Sequence, residues 1–275
     1  MHVVLNGSLV PAHAAAVPLL DEGLLQGFGL IETMAAFGGQ IPLFARHFKR
    51  LTKSAERFAL ALPRNSSQTL EDCGLLLEAD GLLDARIRLT LTRGNAEHGI
   101  PPTLALHAVP LPEAPRTMTA IISETLRLSP VSPLAGYKTL SHFAYRWARE
   151  EAKLQGANEA LLLDTDGYLA EGTLSNLFVI TRGQILTPAL RHGGLAGVAR
   201  GLVLELLDAS NCETGSIRPE TLLTASEAFL TNAVMGVVPL VAVDGRLIGD
   251  GEPGPVTRGV QTFYRESLHD TLYQR

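Results

Sequence analysis

Along the N-terminal part of the chain, apolar and polar residues alternate in short runs separated by turn-forming pairs, the pattern of half-buried strands. His2 to Val10 reads as a hairpin closed by Asn6-Gly7, and Thr33 to Leu43 as a second closed by Gly38-Gly39. The period then lengthens. Between Arg46 and Leu62, the residues Phe48, Leu51, Ala55, Phe58 and Leu62 recur on one helical face. Ala85 to Gly94 and Thr103 to Leu111 return to strand, the first with Arg86 and Arg88 on alternate positions. Residues 109–116 hold three prolines and little periodicity, so a linker is expected there. Beyond it the pattern gives a strand from Thr119 to Leu128, a Pro-rich turn and a helix over roughly 141–155. Hairpins turning at Asp166-Gly167 and Arg182-Gly183, a helix from Val198 and a strand from Ser226 to Ala233 follow. Strands clustered around a few helices, without regular βαβ alternation, indicate an α+β chain, divided into residues 1–112 and 113–275.

Composition narrows the class of function. A chain of 275 residues with 46 % hydrophobic and 19 % charged residues can bury one large core or two ordinary ones. No run approaches the ~18 apolar residues of a spanning helix, and the start shows no basic-then-apolar export pattern. Cys73 and Cys212 lie far apart, as in a reducing compartment, so a cytoplasmic location is expected. A net charge of -5 offers no broad basic surface for nucleic acid, and a small-molecule substrate is the expectation.

Four lysines are present, and three have ordinary settings. Lys49 and Lys53 are one turn apart on the polar side of the first helix, and Lys153 shares a face with Arg146 and Arg149. Lys138 differs: it follows Pro133-Leu-Ala-Gly136 and sits between Tyr137 and Leu140, where a loop meets a helix. An amine among apolar neighbours loses hydration and becomes a nucleophile or Schiff-base partner, although a lysine snorkelling from a helix start is the commoner arrangement. Glu171 ends an apolar strand, where a carboxylate either faces a cavity or lies in solvent. Gly197 opens the helix from Val198, which makes it a simple N-cap or part of an anion site built on free N–H groups. Arg50 on the first helix, with Thr231 and Asn232 at a strand end, adds donors suited to an anion.

Together these residues resemble the class-IV aminotransferases, the fold-type IV pyridoxal 5'-phosphate enzymes. The resemblance runs from about Asn6 to Pro239. It rests on Gly27-Phe-Gly29, Glu32-Thr33, His47-x-x-Arg50-Leu51, Arg93-Gly94, Gly136-Tyr-Lys138, Asn158-Glu159, Glu171-Gly-Thr-x-Ser175-Asn176, Gly197-Val-Ala-Arg200 and Phe229-Leu-Thr-Asn-Ala233. It implies a two-domain fold like that of D-amino-acid aminotransferase, with a small N-terminal α/β domain and a larger C-terminal pseudo-barrel domain. It implies that Lys138 carries pyridoxal phosphate as a Schiff base and moves the substrate proton, and that Glu171 pairs with the pyridine nitrogen. Arg50, Gly197, Val198, Ala199, and Thr231 or Asn232 would hold the phosphate, with Ser175 and Asn176 beside the cofactor. Glu32, Arg93 and His98 would meet the substrate. A homodimer is implied, and no metal.

Within the family, Ser129 to Ser141 and Thr231 to Pro239 look most like the 4-amino-4-deoxychorismate lyases of folate synthesis. The alternative is transamination of D-amino acids, branched-chain amino acids or amines. Branched-chain members usually carry a tyrosine five residues beyond the lysine, where this chain has Phe143. His98 stands where an arginine is usual, which leaves Arg86 and Arg88 as other candidates to meet a substrate carboxylate.

Overall fold

The computed structural model describes residues 1–207 and 212–273. Its chain divides into two compact units, each described here by itself. The first comprises Met1–Pro112, Lys138–Ser141 and the chain from Leu268; the second comprises Glu113–Tyr137 and His142–Ser267. All of 113–275 was expected in one domain, yet Lys138–Ser141 packs with the first unit because its backbone pairs with a strand there.

In the first unit β1 (His2–Leu5), β2 (Ser8–Pro11), β3 (Gly29–Ala36), β4 (Ala85–Thr92) and β5 (Leu104–Pro110) form one antiparallel sheet in the order β2-β1-β5-β4-β3. The Asn6-Gly7 hairpin forms, with both residues at positive φ, 47° and 89°. The hairpin expected at Gly38-Gly39 does not extend: its returning arm is a single bridge from Gln40 to Phe37. Pro42 and the start of a helix follow at once, and β3 takes β4 as its ladder instead. Three helices complete the unit: α1 (Glu22–Gln26), α2 (Phe44–Arg57) and α3 (Ser66–Asp80). The α2 helix ends before Phe58 and Leu62, two of its expected face residues, because Ala59 turns to φ 51°. Leu51, Ala55, Cys73, Leu76, Met34, Ile87, Leu89 and Leu106 make the core between helices and sheet. The even-numbered side of β3 faces that core and the odd-numbered side faces away.

In the second unit a large sheet runs β11-β10-β9-β12-β13-β6-β7-β8. Its strands are β6 (Met118–Leu128), β7 (Glu159–Asp164), β8 (Leu169–Gly172), β9 (Asn176–Thr181), β10 (Gln184–Pro188), β11 (Cys212–Gly215), β12 (Glu227–Asn232) and β13 (Gly236–Val243). A short β14 (Arg246–Leu247) pairs with β13. Hairpins at 164–168 and 181–184 stand where the turn pairs placed them. The β7 strand is buried at every position, so it reads as continuous apolar sequence instead of alternating. Helices α4 (Phe143–Leu154) and α5 (Val198–Leu207) accompany the sheet, with α6 (Pro255–Tyr273) as far as Ser267. Leu161, Leu177, Val179, Leu230, Val238 and Leu240 centre one core, and Ala148, Ala152, Ala160 and Leu162 seat α4 on β6 and β7. Among the described residues no helix is long and apolar enough to cross a membrane.

Candidate active site

Lys138 is placed by the edge of the first sheet. The Ile31 N–H donates to the Lys138 carbonyl at 2.9 Å, and the Leu140 N–H donates to the Gly29 carbonyl at 2.9 Å. Gly29 permits this approach, since a Cβ there would collide with the Leu91 carbonyl and the Leu140 side chain. The bridge between Leu30 and Thr139 sets Lys138 opposite Ile31, on the outward face of β3. On that face Thr90 lies across from Ile31, Arg88 across from Thr33, and His107 across from Arg88. Lys138 is half-buried. Burial first, then Arg88 and Arg86, push the His107 ring below its ordinary value, so it is neutral near pH 7 and adds no charge beside these arginines.

On the opposite face Glu32 is almost fully buried beneath α2. Arg50 grips it with a two-pronged pair, Nε to Oε1 at 2.8 Å and Nη2 to Oε2 at 2.6 Å, and His47 Nδ1 donates to Oε2 at 2.8 Å. Burial alone would raise the Glu32 carboxyl, but Arg50 and then His47 outweigh it and hold it at about 2. His47 is pushed down by burial, with the charges of Arg50 and Lys138 acting in the same direction and Glu32 opposing. Its ring is therefore neutral and carries its proton on Nδ1, toward an acceptor-only carboxylate. The structure engages both oxygens of Glu32, expected with the substrate, in aiming Arg50.

In the second unit Glu171 is buried at the end of β8. Its Oε1 accepts from the Tyr145 hydroxyl at 3.3 Å, and its Oε2 from the Leu195 N–H at 2.9 Å and Asn176 Nδ2 at 3.4 Å. Burial, then the Glu171 charge, raises the Tyr145 phenol far above its ordinary value, so it remains a donor. Asn176 also donates to the Leu195 carbonyl at 2.9 Å, which ties the loop before α5 to the same cluster. Gly197 caps α5 and admits no side chain: a Cβ would strike the Asn176 amide oxygen. Val198 and Ala199 occupy the first turn of α5, where amides lack intrahelical acceptors. Thr231 lies directly across from Asn176 on the neighbouring strand, and its buried hydroxyl has no hydrogen-bond partner. An orphaned donor beside a helix start and an acidic group fits an anionic, ring-bearing cofactor.

Several expected residues are engaged elsewhere. The Ser175 hydroxyl donates to Glu159 Oε2 at 3.0 Å rather than toward Glu171. Asn232 closes the turn after β12: its Oδ1 accepts from Val234 and Met235 N–H at 2.9 and 2.8 Å, and its Nδ2 donates to Leu174. Arg93 is exposed, pairs with Glu22 at 3.0 Å and lies 4.5 Å above the Phe28 ring. His98 is exposed and meets Asn95 at 3.3 Å. Three contributors had no assigned role: His47, Tyr145 and Glu159. Glu159 is fully buried and gathers the amides of Ala160, Thr173 and Leu174 with the hydroxyls of Thr173 and Ser175, which fixes the turn between Glu171 and Asn176. Its sequence signals were its place in the Asn158-Glu159 motif and a carboxylate opening a strand whose middle is apolar.

Compared with known protein families, residues 29–243 match amino-transferase class IV. The chain belongs to the class-IV aminotransferases. Members of this family are pyridoxal-phosphate-dependent enzymes, aminotransferases and a lyase among them. The chain is 30 % identical to a putative branched-chain-amino-acid aminotransferase of Methanocaldococcus jannaschii, over 97 % of this chain and 96 % of that one. It is 29 % identical to a D-alanine aminotransferase of Bacillus licheniformis, over 98 % and 97 %. The solved 4-amino-4-deoxychorismate lyase of Pseudomonas aeruginosa superposes with a TM-score of 0.82 at 29 % identity, covering 96 % of this chain and 98 % of that one. The fold of this class-IV chain is thus the mixed α/β, two-sheet architecture expected.

Proposed function

We propose that Lys138 carries pyridoxal phosphate and that the enzyme is a 4-amino-4-deoxychorismate lyase, releasing 4-aminobenzoate and pyruvate. Bound there, the cofactor supplies an electron sink for the carbon that bears the substrate amine. Lys138 Nζ would take the proton from that carbon and give it to the departing enolpyruvate, which leaves as pyruvate while the remaining ring becomes aromatic. Glu171, fixed by Tyr145, Leu195 and Asn176, holds a proton on the pyridine nitrogen. Thr231 Oγ1 and the Val198 and Ala199 amides bind phosphate at the helix start that Gly197 caps, joined by Arg50, whose direction Glu32 and His47 set. Arg88, on the Lys138 face of the first sheet, is the cation for a substrate carboxylate, in place of Arg93 and His98.

One observation carries the choice of branch. At position 143, where a branched-chain aminotransferase is expected to bring a phenol to the cofactor, this chain has an exposed Phe143, and the Tyr145 hydroxyl is committed to Glu171. The second reading, transamination, is favoured by the 30 % identity to the branched-chain relative. The reading extends to a cytoplasmic homodimer in folate synthesis; the exposed, stacked Phe143–Trp147 pair supports a second copy covering α4. Purified enzyme given aminodeoxychorismate should yield 4-aminobenzoate and pyruvate in equal amounts without an added keto acid. Amino transfer from D-alanine or L-leucine to a keto acid, with no aromatic product, would overturn the lyase assignment and leave Lys138 in place.

A further inference from the structure

A second polar cluster in the larger unit has no part in this chemistry. Asp164, at the end of β7, is buried; its Oδ1 accepts the Asp166 and Tyr168 N–H groups at 2.9 and 2.8 Å. Its Oδ2 lies 2.6 Å from His192 Nδ1, and His192 Nε2 lies 2.8 Å from Ser216 Oγ. Burial would raise the Asp164 carboxyl, but the Tyr168 amide, the His192 ring and the Asp166 amide outweigh it and hold it below the ordinary carboxylate range. An ionised Asp164 only accepts, so the imidazole proton sits on Nδ1 and Nε2 presents a lone pair to the Ser216 hydroxyl. The Tyr168 ring lies 5.0 Å from that of His192, with Arg218 stacked 3.9 Å above Tyr168, and His192 is buried. Ser216, on the link after β11, is exposed. Arg191 Nη2 donates to the same Oγ at 2.9 Å.

Here the hydroxyl of an exposed serine is bonded to a base, the base is oriented by a buried carboxylate, and a guanidinium touches the reacting oxygen. We propose that Ser216, His192 and Asp164 form a second catalytic site that transfers acyl groups from small esters through Ser216. Ser216 Oγ attacks the ester carbonyl as its proton passes to His192 Nε2. The new C–Oγ bond forms, the ester C–O bond breaks, and His192 returns the proton to the departing oxygen. Water then attacks the acyl-serine and gives its proton to His192, and the acid leaves as Ser216 recovers the proton. Asp164 holds the ring and offsets its transient charge, and Arg191, 2.9 Å from Oγ, offsets the negative charge that develops on the attacking oxygen as its proton leaves. A purely structural role, clamping the loop before α5 to the 164–168 turn, needs the same bonds but no reactivity at Oγ.

The test uses holoenzyme and a fluorophosphonate probe, which bonds to a nucleophilic serine as fluoride leaves with the proton. Intact mass and peptide mapping should show one adduct per chain, on Ser216. Ser216→Ala should remove it and lower p-nitrophenyl acetate hydrolysis to the buffer rate, while the pyridoxal-dependent turnover is unchanged. His192→Gln should slow labelling by ~10²-fold or more. Ser216 left unmodified, ester hydrolysis intact in Ser216→Ala, or equal labelling rates in His192→Gln and wild type would each overturn the proposal.

Discussion

Replacing Glu32 by Gln removes a charge that its surroundings are arranged to keep. A fall of the carboxyl from 4.5 to about 2 corresponds, at ~1.4 kcal/mol per pH unit, to roughly 3 kcal/mol of stability. Because the folded value lies below the unfolded one, that contribution is complete above the ordinary carboxylate range and disappears as pH falls toward 2. Urea unfolding of cofactor-free wild type and Glu32→Gln measures it directly, and leaving the cofactor out removes binding from the comparison. The wild type should exceed the variant by about 3 kcal/mol near neutral pH, and by only ~1–1.5 kcal/mol near pH 3, from the same linkage. Buried to 2 % exposure, Glu32 is little screened by water or salt, so the gap should survive added salt. A gap below ~1 kcal/mol at neutral pH, or one unchanged down to pH 3, would refute the argument that Arg50 and His47 stabilise an ionised Glu32.

Further substitutions test the rest of the site. Lys138→Ala should abolish both the visible absorption of bound cofactor and turnover; retained colour would remove the central assignment. For Glu171→Gln, cofactor should still bind while turnover falls ~10²-fold or more in a steady-state assay, because the pyridine nitrogen loses its charged partner. Thr231→Val should act in opposite directions. The cofactor-free chain gains about 1 kcal/mol in thermal unfolding from losing an unpaired buried hydroxyl, and cofactor affinity in titration drops several-fold. Glu159→Ala leaves buried amides and hydroxyls unsatisfied and should cost ~4 kcal/mol or more in denaturant unfolding.

Strand and hairpin signals in the sequence were local, and so they were legible. Asn6-Gly7, Asp166-Gly167 and Arg182-Gly183 turn where the chain turns because their backbone demands are met by those residues alone. The α3 helix escaped the same reading because its buried side includes Thr69 and Asp72, while Leu70 and Leu75 face outward. Only the capping pair Asn65 and Gln68 announced it. Most of α6 is likewise amphipathic through a narrow set, Thr257, Val260 and Tyr264. Residues of the site that belong to a motif could be named, but not what occupies them. That Glu32 is taken by Arg50 and Ser175 by Glu159 depends on side chains 18 and 16 residues apart. Tyr145 was hidden because its partner Glu171 lies 26 residues onward, on another element.

The pairing of Lys138–Ser141 with β3 bears on how the protein can be dissected. A fragment ending at Pro112 would contain all five strands of its sheet, yet would lack the segment that satisfies the Ile31 N–H and the Gly29 carbonyl. It would present a raw edge, open to pairing with another such fragment. The same bond forms only after more than a hundred intervening residues have been looped back, an entropic cost that places it among the late events of folding. Lys138 therefore reaches this position only after the chain has been made past its midpoint and folded back onto β3.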